Sequence, residues 1–389
     1  MAGKLWQDMV EPSFLQTLRT LVKTRIEPNA AAIDANDVYP VDEIRMLARA
    51  GYNSIFLPEA YGGRGSYRHA LAVFEEASYA SAAVGISLIT ILQAQTILYL
   101  FGGESLRRRY LPRFADGLIS AYALTEANHG SDIRSLDTKA VQVGDEWVLD
   151  GEKSFITSGS AAEFFIILAE TPGGVSAFAL PGATDGLSTY VGTNSATFGL
   201  RNGPHVNLVL DQVRLPLDHL IGLEGKGVRQ AVTTLNYSRT MAAGISLGIA
   251  RAAFDRALAH AKQRKVFDSS VFDKQGIQWY FADMVTRIDA ARLLTYRAAD
   301  ALDAALDAAP GSADIDVPRL SSEAKLMAAA LATEVAGTAI QVCGAYGVME
   351  NSPYGRYLRD AKAYEIAGGA SEILRNTIGK ALQTYDPDL

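Results

Sequence analysis

The chain has 389 residues, which suggests two or three domains. Acidic residues outnumber basic ones, 43 to 36, and the net charge of −7 excludes a basic nucleic-acid groove and fits a soluble protein of the cytoplasmic type. The single cysteine, Cys343, excludes an intrachain disulfide and a cysteine-based metal cluster, and the five histidines (His69, His129, His205, His219 and His260) show no ligand spacing.

Three blocks follow in chain order. Over 12–118 apolar residues recur at helical spacing, as in Leu15, Leu18, Leu21 and Val22, then Ile44, Leu47 and Ala48. The N-terminus carries charges early and has no apolar core of a signal peptide. Gly51 suits a left-handed helix cap, and LPEAYGGRG at 57–65 reads as a connector. The stretch 84–101 is apolar but broken by Ser87, Thr90, Gln93, Gln95 and Thr96. It predicts a buried helix at the centre of a bundle, and no apolar run reaches the ~20 residues of a membrane span.

Over 119–225 the pattern changes to short β-rich runs at 147–149, 164–168, 175–180 and 206–210, separated by Gly, Asp and Pro clusters. Over 226–382 it is helical again and alanine-rich, with long segments at 228–264, 275–308 and 320–343 and a clear loop at 309–318. The expected fold is α+β but mainly α: an N-terminal helical domain over 1–118, a middle β-barrel or sandwich over 119–225, and a C-terminal four-helix bundle over 226–389.

Ala123-Leu124-Thr125-Glu126-Ala127-Asn128-His129-Gly130-Ser131-Asp132 resembles the first signature of the acyl-CoA dehydrogenase family, except that His129 stands where a small residue is usual. Gln341-Val342-Cys343-Gly344-Ala345-Tyr346-Gly347-Val348, followed by Asn351, Arg356 and Asp360, resembles the second, with Ala345 its one departure. LDGEKSFITSG at 149–159 and RKVF at 264–267 with Gln275 are similar to lesser family motifs, though Asp268 replaces a glycine. These matches, in order, cover almost the whole chain.

The resemblance implies FAD as cofactor and an acyl thioester, of CoA or an acyl carrier protein, as substrate. It implies an electron-transfer flavoprotein as electron acceptor and a homodimer or homotetramer as the assembly. Desaturation removes a Cα proton and moves a hydride from Cβ to the flavin, so the thioester oxygen needs hydrogen-bond donors as charge develops. By resemblance, one donor is the backbone N–H of Gly369. Leu124 and Thr125 would run along the flavin ring, Gly130 would allow close approach, and Ser131 would reach flavin phosphate or pantetheine. Phe155 and Thr157, two apart on an expected strand, would share a face, one stacking and one bonding. Arg264, Phe267 and Gln275 would reach the flavin of a neighbouring subunit, with Gln341, Gly344 and Ala345 on the same side. Asn236 and Arg239, three apart on an expected helix, would stand at the mouth of the substrate pocket.

The end of the chain departs from the family. The usual pattern places a glutamate base where this sequence has Gly368, within Tyr364-Glu365-Ile366-Ala367-Gly368-Gly369-Ala370-Ser371-Glu372. Ala370 also lacks the hydroxyl often offered to the flavin, while Glu372 remains a cofactor contact by resemblance. A subgroup similar to isovaleryl-CoA dehydrogenase moves the glutamate to the position held here by Ser238. Both expected carboxylates are therefore absent. Three alternatives follow: another group, such as His129, Tyr237 or Glu365, serves as base; the reaction is non-oxidative, as in acyl-CoA dehydrogenase-like desulfinases; or the chain is a silent flavin-binding subunit. Of the three side chains, His129 has the most suitable intrinsic pKa.

Overall fold

The computed structural model describes residues 5–193, 195–307 and 316–383. Six helices come first: α1 (Pro12–Leu21), α2 (Ala30–Asn36), α3 (Val41–Arg49), α4 (Tyr67–Ala80), α5 (Ala82–Phe101) and α6 (Glu104–Ala115). Gly51 takes φ +78 just after α3, the left-handed conformation its sequence position predicts. Ser66 caps α4 by accepting from the His69 N–H at 3.2 Å.

A seven-stranded half-barrel sheet follows: β1 (Ser120–Ala123), β2 (Lys139–Val143), β3 (Glu146–Ile156), β4 (Phe164–Thr171), β5 (Gly174–Pro181), β6 (Leu187–Val191) and β7 (Val206–Pro216). The order is β1-β4-β2-β3-β7-β6, with β5 also paired to β4. β4 pairs in parallel with β1 and, at one position, with β2; the other pairs are antiparallel. The sheet encloses its own apolar core, including Trp147, Phe165, Ile167, Phe178 and Leu208. The four expected strands all form. β1, β2 and β6 were not visible in the sequence, because β1 is only four residues long and β2 and β6 are largely exposed and carry no apolar run.

The rest is helical: α7 (Gly227–Gln263), a small hairpin of β8 (Lys265–Val266) and β9 (Ser269–Ser270), then α8 (Gln275–Asp307), α9 (Val317–Cys343), α10 (Tyr354–Tyr364) and α11 (Ser371–Leu382). These helices match the expected segments within a few residues. Most of the expected 309–318 loop lies outside the described residues. α7 runs close to α4 because Gly244 and Gly248 leave room: a Cβ at Gly248 would strike the Glu75 carbonyl. That closeness buries Glu75 between α7 and α8. Its carboxylate accepts from Arg251 and Arg292 at 2.8 Å each and from the Tyr296 hydroxyl at 2.9 Å.

Two helical stretches, Ala82–Phe101 and Val317–Val348, are long and apolar enough to cross a membrane, contrary to the expectation that none is. The polar interruptions of α5 do not face water. Most of them bond inside protein, as Ser87 does to the Ala83 carbonyl at 2.8 Å and Gln95 Nε2 to Ser54 at 2.8 Å, while the Thr96 hydroxyl is buried without a partner. With α4, α7 and β1 packed around it, α5 is a core helix, buried along all but its last turn.

Candidate active site

The segment between α10 and α11 turns on two glycines. Gly368 has φ +72 and Gly369 φ +113, where a side chain would be strained. The Gly368 carbonyl accepts from Arg239 Nε at 3.2 Å, and the Gly369 carbonyl accepts from Lys325 Nζ at 2.8 Å. Arg239 comes from α7 and Lys325 from α9, so the glycine turn is fastened to two different helices. Among the described residues no acceptor meets the Gly369 N–H.

Both cations are buried. Arg239 also donates from Nη1 to Asn236 Oδ1 at 2.9 Å, as their shared helix face predicts. Burial lowers the Arg239 pKa. Lys325 is fully buried; desolvation, then the charge of Arg239, push it down to about 8 against the pull of Glu365 and Glu372. Lys325 was missed in the sequence, because a lone lysine in an alanine-rich helix reads as a solvated residue. The available signal was its place on the buried stripe with Ser321, Ser322, Ala328, Ala329 and Ala332.

Among the described residues, Ser238, His129 and Glu365 are each engaged by neighbours, and Tyr237 is held protonated. The Ser238 hydroxyl donates to the Leu235 carbonyl at 3.1 Å and accepts from Gln93 Nε2 at 3.3 Å. Tyr237 packs on Tyr67 with ring centroids 4.9 Å apart, and burial pushes its pKa up to about 12. His129 Nε2 lies 3.3 Å from Asp137 Oδ1. Glu365 is held by Thr333 at 2.7 Å and Lys362 at 2.9 Å, turned toward α9 and its own helix.

The 124–138 loop is sewn to β3 by a buried ion pair. Glu126 accepts from Lys153 Nζ at 2.6 Å, from the Thr138 N–H at 3.0 Å and from the Asp137 N–H. Burial raises the Glu126 pKa, but Lys153 and these donors outweigh it and hold the carboxyl below its usual range. Burial pushes Lys153 down to about 8, so both partners are charged at neutral pH. Lys153 also reaches the Leu124 carbonyl at 3.4 Å, and the Ser154 N–H donates to the Thr125 carbonyl at 2.9 Å. These two carbonyls are therefore engaged, while the Thr125 side chain is half-buried and Gly130 and Ser131 are exposed. Glu126, His129 and Asp137 bring possible ligand atoms within 4.8 Å of one another, a cluster that histidine spacing alone did not show. With Glu126 occupied by Lys153 and two N–H groups, the cluster is an ion-pair network rather than a cation site.

Phe155 and Thr157 do not sit on a regular strand face. A register shift interrupts β3 between Lys153 and Ile156, Phe155 takes φ +57, and Thr157 lies beyond the strand end. The bulge still turns the Phe155 ring outward, 58% exposed, with Ile156 buried between it and Thr157. Thr157 Oγ1 lies 3.4 Å from His205 Nε2.

The third group lies at the far end of the helical block. Phe267 and Asp268, φ +49 and +63, form the two-residue tip of the β8–β9 hairpin, which explains a glycine preference at 268. Phe267 is 92% exposed and Gln275 opens α8. Arg264 stacks over Tyr346 at 5.9 Å, so the ends of α7 and α9 meet there, beside Gln341, Gly344 and Ala345. Ala370 occupies the N-cap position of α11 without a side-chain cap, and Glu372 is exposed in the first turn. The structure thus gathers Asn236, Arg239, Gly368 and Gly369 into one cluster, while the Ser238 hydroxyl bonds to Leu235 and Gln93 instead. It joins Leu124 and Thr125 to the β3 segment before Phe155, and leaves the Arg264–Gln275 group apart from both.

Three family models match the chain: the acyl-CoA dehydrogenase N-terminal domain over residues 11–118, the middle domain over 121–213 and the C-terminal domain over 225–383. An acyl-CoA dehydrogenase of Bacillus subtilis is 37% identical over 375 residues, covering 94% of this chain and 96% of the relative. A probable acyl-CoA dehydrogenase of Mycobacterium leprae is 33% identical over 373 residues, covering 94% and 93%. The structure of butyryl-CoA dehydrogenase from Megasphaera elsdenii superposes with a TM-score of 0.89 at 30% identity, covering 97% of this chain and all of that one. The chain belongs to the acyl-CoA dehydrogenase family.

Proposed function

We propose that the chain is an FAD-dependent enzyme that oxidises an acyl thioester between Cα and Cβ. The observation that supports this most is the unpartnered Gly369 N–H on a turn fixed by Arg239 and Lys325. A thioester oxygen is a weak acceptor that becomes a strong one as the Cα proton leaves, and a fixed donor favours that charge.

The residues present fit a flavin. Phe155 offers an exposed ring on a bulge, Thr125 and Thr157 offer hydroxyls next to it in the β3 region, and Gly130 and Ser131 leave open backbone at the loop end. When bound, the flavin supplies the hydride acceptor. Ser131, Asn236 and Arg239 would meet the substrate. Arg264, Phe267, Gln275, Gln341, Gly344, Ala345, Ala370 and Glu372 would meet the cofactor, several of them from a neighbouring subunit of a homodimer or homotetramer. The large exposed Phe267 suits such a partner. The thioester carrier is CoA or an acyl carrier protein, the electron acceptor an electron-transfer flavoprotein, and the compartment the cytoplasm.

With Gly368 and Ser238 in the two base positions, the chain lowers the cost of charge on the thioester oxygen but supplies no carboxylate there for the proton. That absence favours a second reading, non-oxidative acyl-CoA chemistry such as desulfination. Anaerobic mixing of the yellow holoenzyme with a series of acyl-CoAs separates the two. Lasting loss of the oxidised-flavin band supports oxidation. Release of sulfite from a sulfinated acyl-CoA without bleaching supports the second, and a protein that takes up no FAD refutes both.

A further inference from the structure

Thr157 lies just past the end of β3, flanked by two non-glycine residues in the left-handed region, Phe155 at φ +57 and Ser158 at φ +63. Such conformations cost energy and persist only where surrounding contacts impose them. The contacts here come from α5 and from the 200–205 loop that leads into β7. Asn202 Nδ2 donates to Ser158 Oγ at 3.2 Å and to Ser87 Oγ of α5 at 3.0 Å, and Thr90 of α5 donates to Ser158 Oγ at 3.1 Å. The loop is itself pinned, because the Leu200 N–H donates to Asp360 at 2.7 Å and the Gly203 N–H to Asp37 at 3.1 Å.

The same loop brings His205 to Thr157. Ile156 pairs with Val206 on the antiparallel β3–β7 ladder, so the next residues outward, Thr157 and His205, stand opposite each other. His205 Nε2 lies 3.4 Å from Thr157 Oγ1, and among the described residues no other side-chain hydrogen bond reaches the ring. Burial lowers the His205 pKa against the pull of the Asp37 charge, so at neutral pH the ring is uncharged and offers one donor and one acceptor nitrogen.

A threonine hydroxyl has one proton and rotates about its C–O bond. Left alone, it can turn either the proton or a lone pair to its open side. A ring nitrogen on one side removes that freedom: whichever of the two Nε2 takes, the other is left for the opposite side. Thr157 is half-buried near the exposed Phe155 ring, with Ile156 buried between them, so its open side is the side on which the flavin is placed above.

We propose that His205 is a positioning residue of the flavin site: its Nε2 sets the direction of the Thr157 hydroxyl that meets the flavin ring. This rests on the flavin lying along Phe155, as proposed above. His205 acts through Thr157 and needs no contact of its own with the flavin.

The test is a double-mutant cycle read as the flavin's midpoint potential, measured against a reference dye in holoenzyme without substrate. T157V and H205A are each expected to shift the reduction equilibrium in the same direction by about two- to tenfold, the scale of one hydrogen bond. The double variant T157V/H205A is expected to shift it no further than T157V alone. H205Q, whose amide nitrogen can stand where Nε2 stands, is expected to restore the wild-type potential. Should H205A fail to fold, H205F keeps the ring's volume without its nitrogens and takes its place in the cycle. Additive shifts, a wild-type potential in H205A, loss of FAD from H205A but not from T157V, or H205Q behaving as H205A each overturn the assignment of His205 alone. A wild-type potential in T157V overturns it together with the placement of Thr157 at the flavin. A protein that takes up no FAD overturns the flavin reading itself.

Discussion

Gly368 is the residue on which the chemistry turns. Nothing lies within 4 Å of a Cβ built there, so a longer side chain has room, but φ +72 strains any L-residue by ~1–2 kcal/mol. G368E is therefore expected to fold with slightly lower stability and to restore a carboxylate at the family's base position. General-base catalysis is worth about 10²–10⁴-fold, so oxidation of ordinary acyl-CoAs should rise by at least ~100-fold in a steady-state assay. No gain with any of several chain lengths would count against an intact dehydrogenase site. Tyr237, with its pKa at about 12, is protonated at neutral pH, and Y237F is expected to leave the pH profile of flavin reduction unmoved below pH 9. A lost or shifted acid limb in Y237F would make the tyrosine a base after all. At this scale the sequence was informative where chemistry demands a residue type: the absence at 368 and 238 needed only the register. It was silent on Lys325, whose role depends on a contact 44 residues away.

At the scale of elements, buried ion pairs fasten segments that the apolar pattern alone leaves loose. The Glu126–Lys153 pair ties the 124–138 loop to β3. Removing one partner of such a pair costs ~3–5 kcal/mol. E126Q should lower thermal stability and also the flavin content of the purified protein, because the loop it anchors carries Thr125 and Ser131; unchanged flavin content would detach the pair from the cofactor region. Glu75 does the same for α4, α7 and α8. Burial pushes its pKa up, but Arg251 and Arg292 outweigh that and hold it at about 2, below its ordinary 4.5. A depressed carboxyl contributes stability that is present above the unfolded pKa and lost as pH falls through the folded one. The stability difference between wild type and E75Q should therefore be constant above pH ~5 and shrink from there toward pH 2, measured by denaturant unfolding. A difference flat down to pH 2 would deny the pairing. Both pairs join residues far apart in sequence, which is why periodicity could not show them. Phe155 is the opposite case: strand alternation gave a plausible face, and a bulge, invisible to a period of two, set the actual one.

For the whole molecule, the helix–sheet–helix order was legible because it follows from period: 3.6-residue patterns at both ends and short β-rich runs between. The membrane-like length of α5 shows where that reading fails, since a core helix surrounded by other elements and a spanning helix share a composition and differ only in what packs around them. A homodimer or homotetramer is implied only by resemblance and is proposed, not seen. Phe267, 92% exposed at a hairpin tip, is expected to be covered by another copy, and F267D should shift the protein toward monomer and weaken FAD retention together in a sedimentation experiment with flavin absorbance. Loss of neither would leave the hairpin without a part in the shared cofactor site.

The central claim is that this chain binds FAD and presents an acyl thioester to it although both usual base positions are empty of carboxylate. The most direct measurement is the anaerobic visible spectrum of the purified protein before and after addition of acyl-CoAs. The account predicts a bound oxidised flavin that is bleached slowly by the wild type and much faster by G368E. A flavin that no acyl-CoA bleaches in either protein would contradict it.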